Sequence, residues 1–211
     1  MLGERAVQRG FVLDVVTPEG GIPRTAEGYA MVLPMGAAVS VNDEHIQSWF
    51  QNEIALLQDA DRRGIPVLGV CFGAQALAVA LGGSVSPSLQ AEIGWYEVQS
   101  TRPHLIPSGP WMEWHVDSIT PPGRAEVIAS TPTCVQAYVV DKHLAVQFHP
   151  EVTDNEIKQW AAGDAETLAR LGLDGAALVS ETQFHLSAAR KRAYQLFDDF
   201  LDHSGINAAT P

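Results

Sequence analysis

An apolar run, Val67-Leu68-Gly69-Val70, stops at Cys71, and after Phe72-Gly73 a helix-compatible stretch runs from Ala74 to Leu81. Strand, tight turn and helix in immediate succession is the geometry of a nucleophile elbow, with Cys in the place where esterases carry Ser. Gly69 and Gly73 keep both flanks of a strained turn free of Cβ clashes. A thiol there faces the unpaired N–H groups and the dipole of a helix N-terminus, which favour thiolate. Downstream, Leu144-Ala145-Val146-Gln147-Phe148 ends in His149-Pro150-Glu151, a base followed two residues later by a carboxylate able to orient it. Free Cys is commonly a small buried hydrophobe, and a His at a strand end is commonly a packed one. Neither reading accounts for both features at the C-terminal ends of apolar runs, the rim where open α/β sheets bind ligands.

Apolar runs alternate with helical patterns through the first half. Gly10–Val16 and Tyr29–Leu33 read as strands, and Asn42 or Asp43 caps a helix to about Arg63 with Trp49, Phe50, Ile54 and Leu57 on one face. This alternation predicts an α/β fold with an open, mostly parallel sheet flanked by helices. The Pro- and Gly-rich middle, Ser84 to Ser130, reads as a small antiparallel extension with loops, and Val135–Val140 with Leu144–Phe148 as a hairpin. From Asp154 to about His203 the pattern is helical, broken at Gly163 and Gly172. A final helix near Ala176–Leu201 presents Phe184, Leu186, Tyr194, Phe197 and Leu201 as core.

Five segments in order resemble the motifs of class I, triad-type glutamine amidotransferases, specifically the stand-alone branch similar to the glutaminase domain of GMP synthase. Gly36-Ala37-Ala38-Val39-Ser40-Val41-Asn42-Asp43 resembles Gly-Gly-Pro-Met-Ser-Val-Asn-Asp, and Pro66–Cys71 resembles Pro-Val-Leu-Gly-Ile-Cys. Glu92-Ile93-Gly94-Trp95 repeats Glu-Ile-Gly-Trp, Trp114-His115-Val116-Asp117 is a looser match to Trp-x-x-His-x-Asp, and Gln147–Val152 is the terminal signature unchanged. The resemblance implies a flavodoxin-like fold and hydrolysis of the glutamine side-chain amide through Cys71, His149 and Glu151. It places oxyanion donors on the backbone of Phe72 and of the Gly36-Ala37 loop, a substrate contact on the Gln75 side chain, and a looser one on the backbone of His115, Val116 and Asp117, with packing as the alternative for the His115 side chain. Ala37 and Ala38 depart from the family's Gly-Pro; if the second Gly needs positive φ, Ala37 carries a steric cost. The family opens with a strand before its first helix, whereas Met1-Leu2-Gly3-Glu4 reads as the inside of that helix. The expectation is one amidotransferase domain over 1–211 that lacks that strand, with a truncated start.

Bulk properties narrow the function. Lys and Arg total 13 against 25 Asp and Glu, for a net charge of −12, and the basic residues never cluster. Recognition of nucleic acid through phosphates is therefore not expected. No apolar run approaches the ~20 residues that span a bilayer, and no leader is legible, so the cytoplasm is the expected location. The seven His lack metal-ligand spacing with Cys or carboxylates, so neither metal nor cofactor is expected. The resemblance implies glutamine as substrate, with ammonia delivered to a separate synthase subunit. A γ-glutamyl peptidase using the same triad is the alternative, and a redox-sensing, non-catalytic relative a further one.

Overall fold

The computed structural model describes residues 1–206. Its central sheet has five strands among the described residues, in the order β1-β7-β6-β5-β3: β1 (Leu68–Val70), β3 (Gln99–Ser100), β5 (Glu126–Ser130), β6 (Val135–Val140) and β7 (His143–Val146). β1 and β7 are parallel, with Val70 opposite Val146. β6 pairs antiparallel with both β7 and β5, and β3 antiparallel with β5. Val32 adds a single parallel bridge to Val67 on the outer side of β1. Parallel pairing is thus concentrated where the elbow lies, a finer distribution than the mostly parallel sheet that the apolar runs imply.

Side-chain alternation on these strands feeds two cores. Ala137, Val139, Leu144 and Val146 face helices α1 (Leu2–Gln8) and α6 (Gly175–Ser204). Tyr138, Val140 and Ala145 face α2 (Gln47–Arg63) and α3 (Phe72–Ala80). Burial on both faces explains why β6 and β7 read as continuous apolar runs rather than alternating ones. β2 (Ser84–Glu97) and β4 (Pro110–Thr120) form a separate antiparallel arm, the expected extension. Behind it stand α4 (Asp154–Gly163), started by a Thr153–Glu156 capping box, and α5 (Ala165–Leu171), closed by left-handed Gly172.

Three local expectations are corrected. Residues 10–16 form no strand, and Val12 is 97% and Val15 82% exposed; among the described residues no strand pairs with them. Tyr29–Leu33 contributes only the Val32 bridge. Phe184 is 84% exposed: the buried stripe of α6 runs through Leu178, Thr182, Ala189, Ala193 and Leu196, and two residues beyond Thr182 lies on the opposite side of a 3.6-residue helix.

Candidate active site

The parallel pair β1–β7 brings two distant segments to one edge. The Cys71 amide donates to the carbonyl of Val146 at 2.8 Å, which ties the end of β1 to the strand leading into His149. Cys71 adopts φ 51° and ψ −109° as the N-cap of α3, a conformation that an L-residue holds only when its surroundings enforce it. The enforcement is visible in the glycines. A Cβ on Gly69 would lie 2.8 Å from the carbonyl oxygen of Gly73, and one on Gly73 would lie 2.0 Å from that of Pro34. The turn therefore closes only with both glycines. Phe72 opens α3, so its N–H is among those without an intrahelical acceptor.

His149 is fixed from three directions. Its amide donates to the Met112 carbonyl at 2.7 Å, its Nδ1 lies 2.8 Å from Glu151 Oε1, and the Trp160 ring sits 4.6 Å away, centroid to centroid. The carboxylate only accepts, so Nδ1 carries the proton and Nε2 is left for Cys71. Burial works against an imidazolium here, but Cys71 and Glu151 outweigh it and raise His149 well above the usual histidine range. The Gly36 backbone passes over this pair: a Cβ there would stand 3.0 Å from His149 Cε1 and 3.7 Å from Cys71 Cβ.

Residues that sequence reasoning left without a role complete the setting. Gln147 donates through Nε2 to Cys71 Sγ at 3.6 Å, and its Oε1 accepts from Gln75 Nε2 at 3.2 Å. Gln147 begins the Gln147–Val152 segment, so its position is visible in the sequence but its direction is not. Trp160 belongs to a helix without any motif and gave no signal. Ser40 donates to Asp117 Oδ2 at 2.7 Å, joining the Gly36–Asp43 loop to β4.

A cleft of about 570 Å³ gathers Cys71, His149, Glu151, Gly36, Ala37, Phe72, Gln75, His115, Val116 and Asp117, a volume usual for small-molecule sites. One of these positions differs from expectation, and the His115 side chain takes the packed alternative. Ala37 is not among the residues with positive φ, which are Cys71, Asp141 and glycines, so the anticipated steric cost is absent. The His115 side chain is only 2% exposed and is turned toward Glu92 and Glu113. Glu92, His115 and Cys134 also bring donor atoms within 4.8 Å of one another, a grouping that sequence spacing conceals. Glu92 is already engaged, accepting from Thr133 and Gln136, and Cys134 Sγ lies 3.3 Å from Ser88 Oγ.

A strained cysteine beside a carboxylate-held histidine is a general arrangement for acyl transfer; the wider sequence pattern narrows it. The family model of glutamine amidotransferase class-I matches residues 4–161. The chain belongs to the class-I glutamine amidotransferase family. It is 36% identical over 135 residues to GMP synthase (glutamine-hydrolyzing) of Ralstonia pickettii, covering 55% of this chain and 25% of that protein. The same enzyme of Burkholderia mallei is 37% identical over 134 residues, 54% of this chain and 24% of that one. The chain thus spans about a quarter of the length of the curated relatives it matches. Among solved structures, a glutamine amidotransferase from Thermotoga maritima superposes with TM-score 0.84 at 25% identity, over 96% of this chain and 92% of that one. One from Methylobacillus flagellatus gives TM-score 0.86 at 24% identity, over 95% and 88%, a likeness of fold. Among the described residues, no helix of this amidotransferase is long and apolar enough to cross a membrane.

Proposed function

We propose that this chain hydrolyses the side-chain amide of glutamine and passes the ammonia to a separate acceptor enzyme in the cytoplasm. The observation that carries the reading is Cys71, held at φ 51° on the elbow beside His149, whose other nitrogen is 2.8 Å from Glu151. The Cys71 thiolate attacks the carboxamide carbon, and the C–O π electrons move to oxygen. The Phe72 N–H and the backbone of the Gly36-Ala37 loop stabilise that oxyanion. His149 gives its Nε2 proton to the amide nitrogen, and ammonia departs as the carbonyl reforms in a γ-glutamyl thioester. Neutral His149 then takes a proton from water, which attacks the thioester; glutamate leaves and the thiolate returns. Glu151 holds the ring in the tautomer that both steps require. Gln147, oriented by Gln75, donates to the sulfur and supports its anionic form.

The cleft volume of about 570 Å³ also admits a substituent on the γ-nitrogen, which favours a γ-glutamyl hydrolase as the second reading. An assay of free glutamine against γ-glutamyl peptides separates the two. Cys71→Ser is expected to abolish turnover of either substrate while the far-ultraviolet spectrum and melting temperature stay near wild type. A glutamine-derived electrophile should label Cys71 and spare Cys134. Retained turnover in Cys71→Ser, or equal labelling of both thiols, would remove Cys71 from the nucleophile role.

A further inference from the structure

Glu113, His115 and Asp117 occupy alternate positions of β4 and so share one of its faces. Glu92 stands directly across from His115 on β2. His115 Nδ1 lies 2.8 Å from the Asp117 carbonyl oxygen; a carbonyl only accepts, so Nδ1 carries a proton. His115 Nε2 faces Glu92 Oε2 and Glu113 Oε2, each at 3.3 Å. Neither contact has hydrogen-bond geometry, so His115 Nε2 is left without a hydrogen-bond partner among the described residues, and burial raises the Glu113 carboxyl to about 7. The side chains of His115, Glu92 and Glu113 are 2%, 2% and 0% exposed, and neither Glu113 oxygen has a hydrogen-bond partner among the described residues. Burial disfavours the cation, but Glu113 and Glu92 outweigh it and lift His115 to about 10. The mechanism above uses none of these three side chains.

Their reach extends to the reacting centre. Asp117, whose carbonyl His115 holds, accepts from Ser40 Oγ at 2.7 Å. Ser40 belongs to the loop that carries Gly36 and Ala37, and its own amide donates to Asp43 Oδ2 at 2.9 Å. We propose that His115 is a positioning residue: a buried ring packed between Glu92 and Glu113 that fixes Asp117 through its Nδ1 contact and, through the Asp117–Ser40 hydrogen bond, latches the Gly36–Asp43 loop over Cys71. The catalytic consequence rests on the glutaminase reading, because it is the oxyanion donors of that loop that the latch places.

Two readouts keep the latch and the reading apart: amide hydrogen exchange of residues 36–43, and steady-state glutamine hydrolysis. Ser40→Ala cuts the latch from its half-buried loop side and leaves the Asp117 carboxylate without that donor. His115→Gln keeps a donor toward the carboxylates but loses the Nδ1 contact, whereas His115→Asn keeps a donor near the Nδ1 position. Ser40→Ala and His115→Gln should each accelerate exchange and lower kcat by about tenfold, the size expected for one lost hydrogen bond, with KM changing less. The double variant should be no worse than the poorer single one, because both cut the same chain of contacts. His115→Asn should recover part of the loss. Unchanged exchange in the two single variants, additive losses in kcat, or faster exchange with unaltered kcat would each overturn the proposal. Wild-type protein inert toward glutamine, with exchange behaving as described, would instead sink the glutaminase reading and leave the latch standing.

Discussion

Residues 67–70 and 11–16 are both short apolar runs followed by a turn, yet one is hydrogen-bonded on both sides and the other is not a strand. Leu68–Val70 lies between β7 and the Val32 segment, so its amides and carbonyls find partners on both sides and its side chains are fully buried. Residues 11–16 have no such neighbour among the described residues, and Val12 and Val15 project into solvent. An apolar run becomes a strand when another strand supplies its hydrogen bonds; apolar character alone does not do it. The elbow shows what that support permits, since only a backbone fixed on both sides can hold Cys71 at positive φ.

This contrast can be broken most directly at Gly73. Gly73→Ala puts a methyl group 2.0 Å from the Pro34 carbonyl oxygen, so the elbow must open. We expect a loss of about 4 kcal/mol or more in the denaturant midpoint analysis, together with loss of activity. A near-wild-type midpoint would mean that the turn is not held as tightly as its contacts imply. The next effect is Leu144→Ala in β7. Leu144 is fully buried, and its truncation should cost about 3 kcal/mol with a cavity left behind.

A buried charge on the Val32 side gives a smaller, pH-dependent effect. Glu53 on α2 lines a cavity of about 280 Å³ beside Tyr29–Pro34, and burial raises its carboxyl from 4.5 to about 7. A raised carboxyl means that the folded state holds its proton more tightly than the unfolded chain. The contribution of Glu53 to stability is therefore greatest below pH 4.5, falls as pH rises toward 7, and levels off above that. Glu53→Gln should leave the melting temperature unchanged at pH 4 and raise stability by on the order of 2 kcal/mol at pH 8. Equal gains at both pH values would point to packing rather than ionisation. Last and smallest, Val12→Ser in the exposed run should change stability by no more than about 0.5 kcal/mol. A loss comparable with that of Leu144→Ala would erase the distinction between the two runs.

The catalytic candidates were legible because each sits in a short segment whose local geometry is dictated by a few residues. Gly69, Cys71 and Gly73 specify a turn by steric exclusion, and His149-Pro150-Glu151 spaces a base and its partner within one stretch of backbone. The α/β class followed from the alternation of apolar runs with helical periods, and the antiparallel arm from the Pro- and Gly-rich middle. Phe184 was misplaced because a 30-residue helix offers several faces, and which one is buried depends on where α1 and α4 pack. The role of Gln147 is not legible in the sequence, since the oxygen and nitrogen of its amide acquire meaning only when Gln75 and Cys71 stand on either side. The Glu92–His115–Glu113 cluster was invisible for a related reason: cross-strand register between β2 and β4 sets it, and the shift between Pro87 and Glu92 cannot be counted from the sequence alone.

By itself, then, the sequence determined what is local: an elbow closed by two glycines, a histidine followed by its carboxylate, and the periods of strands and helices. These depend on neighbours within a few residues, whose steric limits are written in residue type. Tertiary structure alone decided which apolar runs found a partner, that Cys71 is tied to Val146 and so stands beside His149, and that His115 turns inward between two carboxylates. Each of those outcomes depends on hydrogen bonds and burial between segments far apart in the chain, and their free energy exists only after the sheet has brought the segments together.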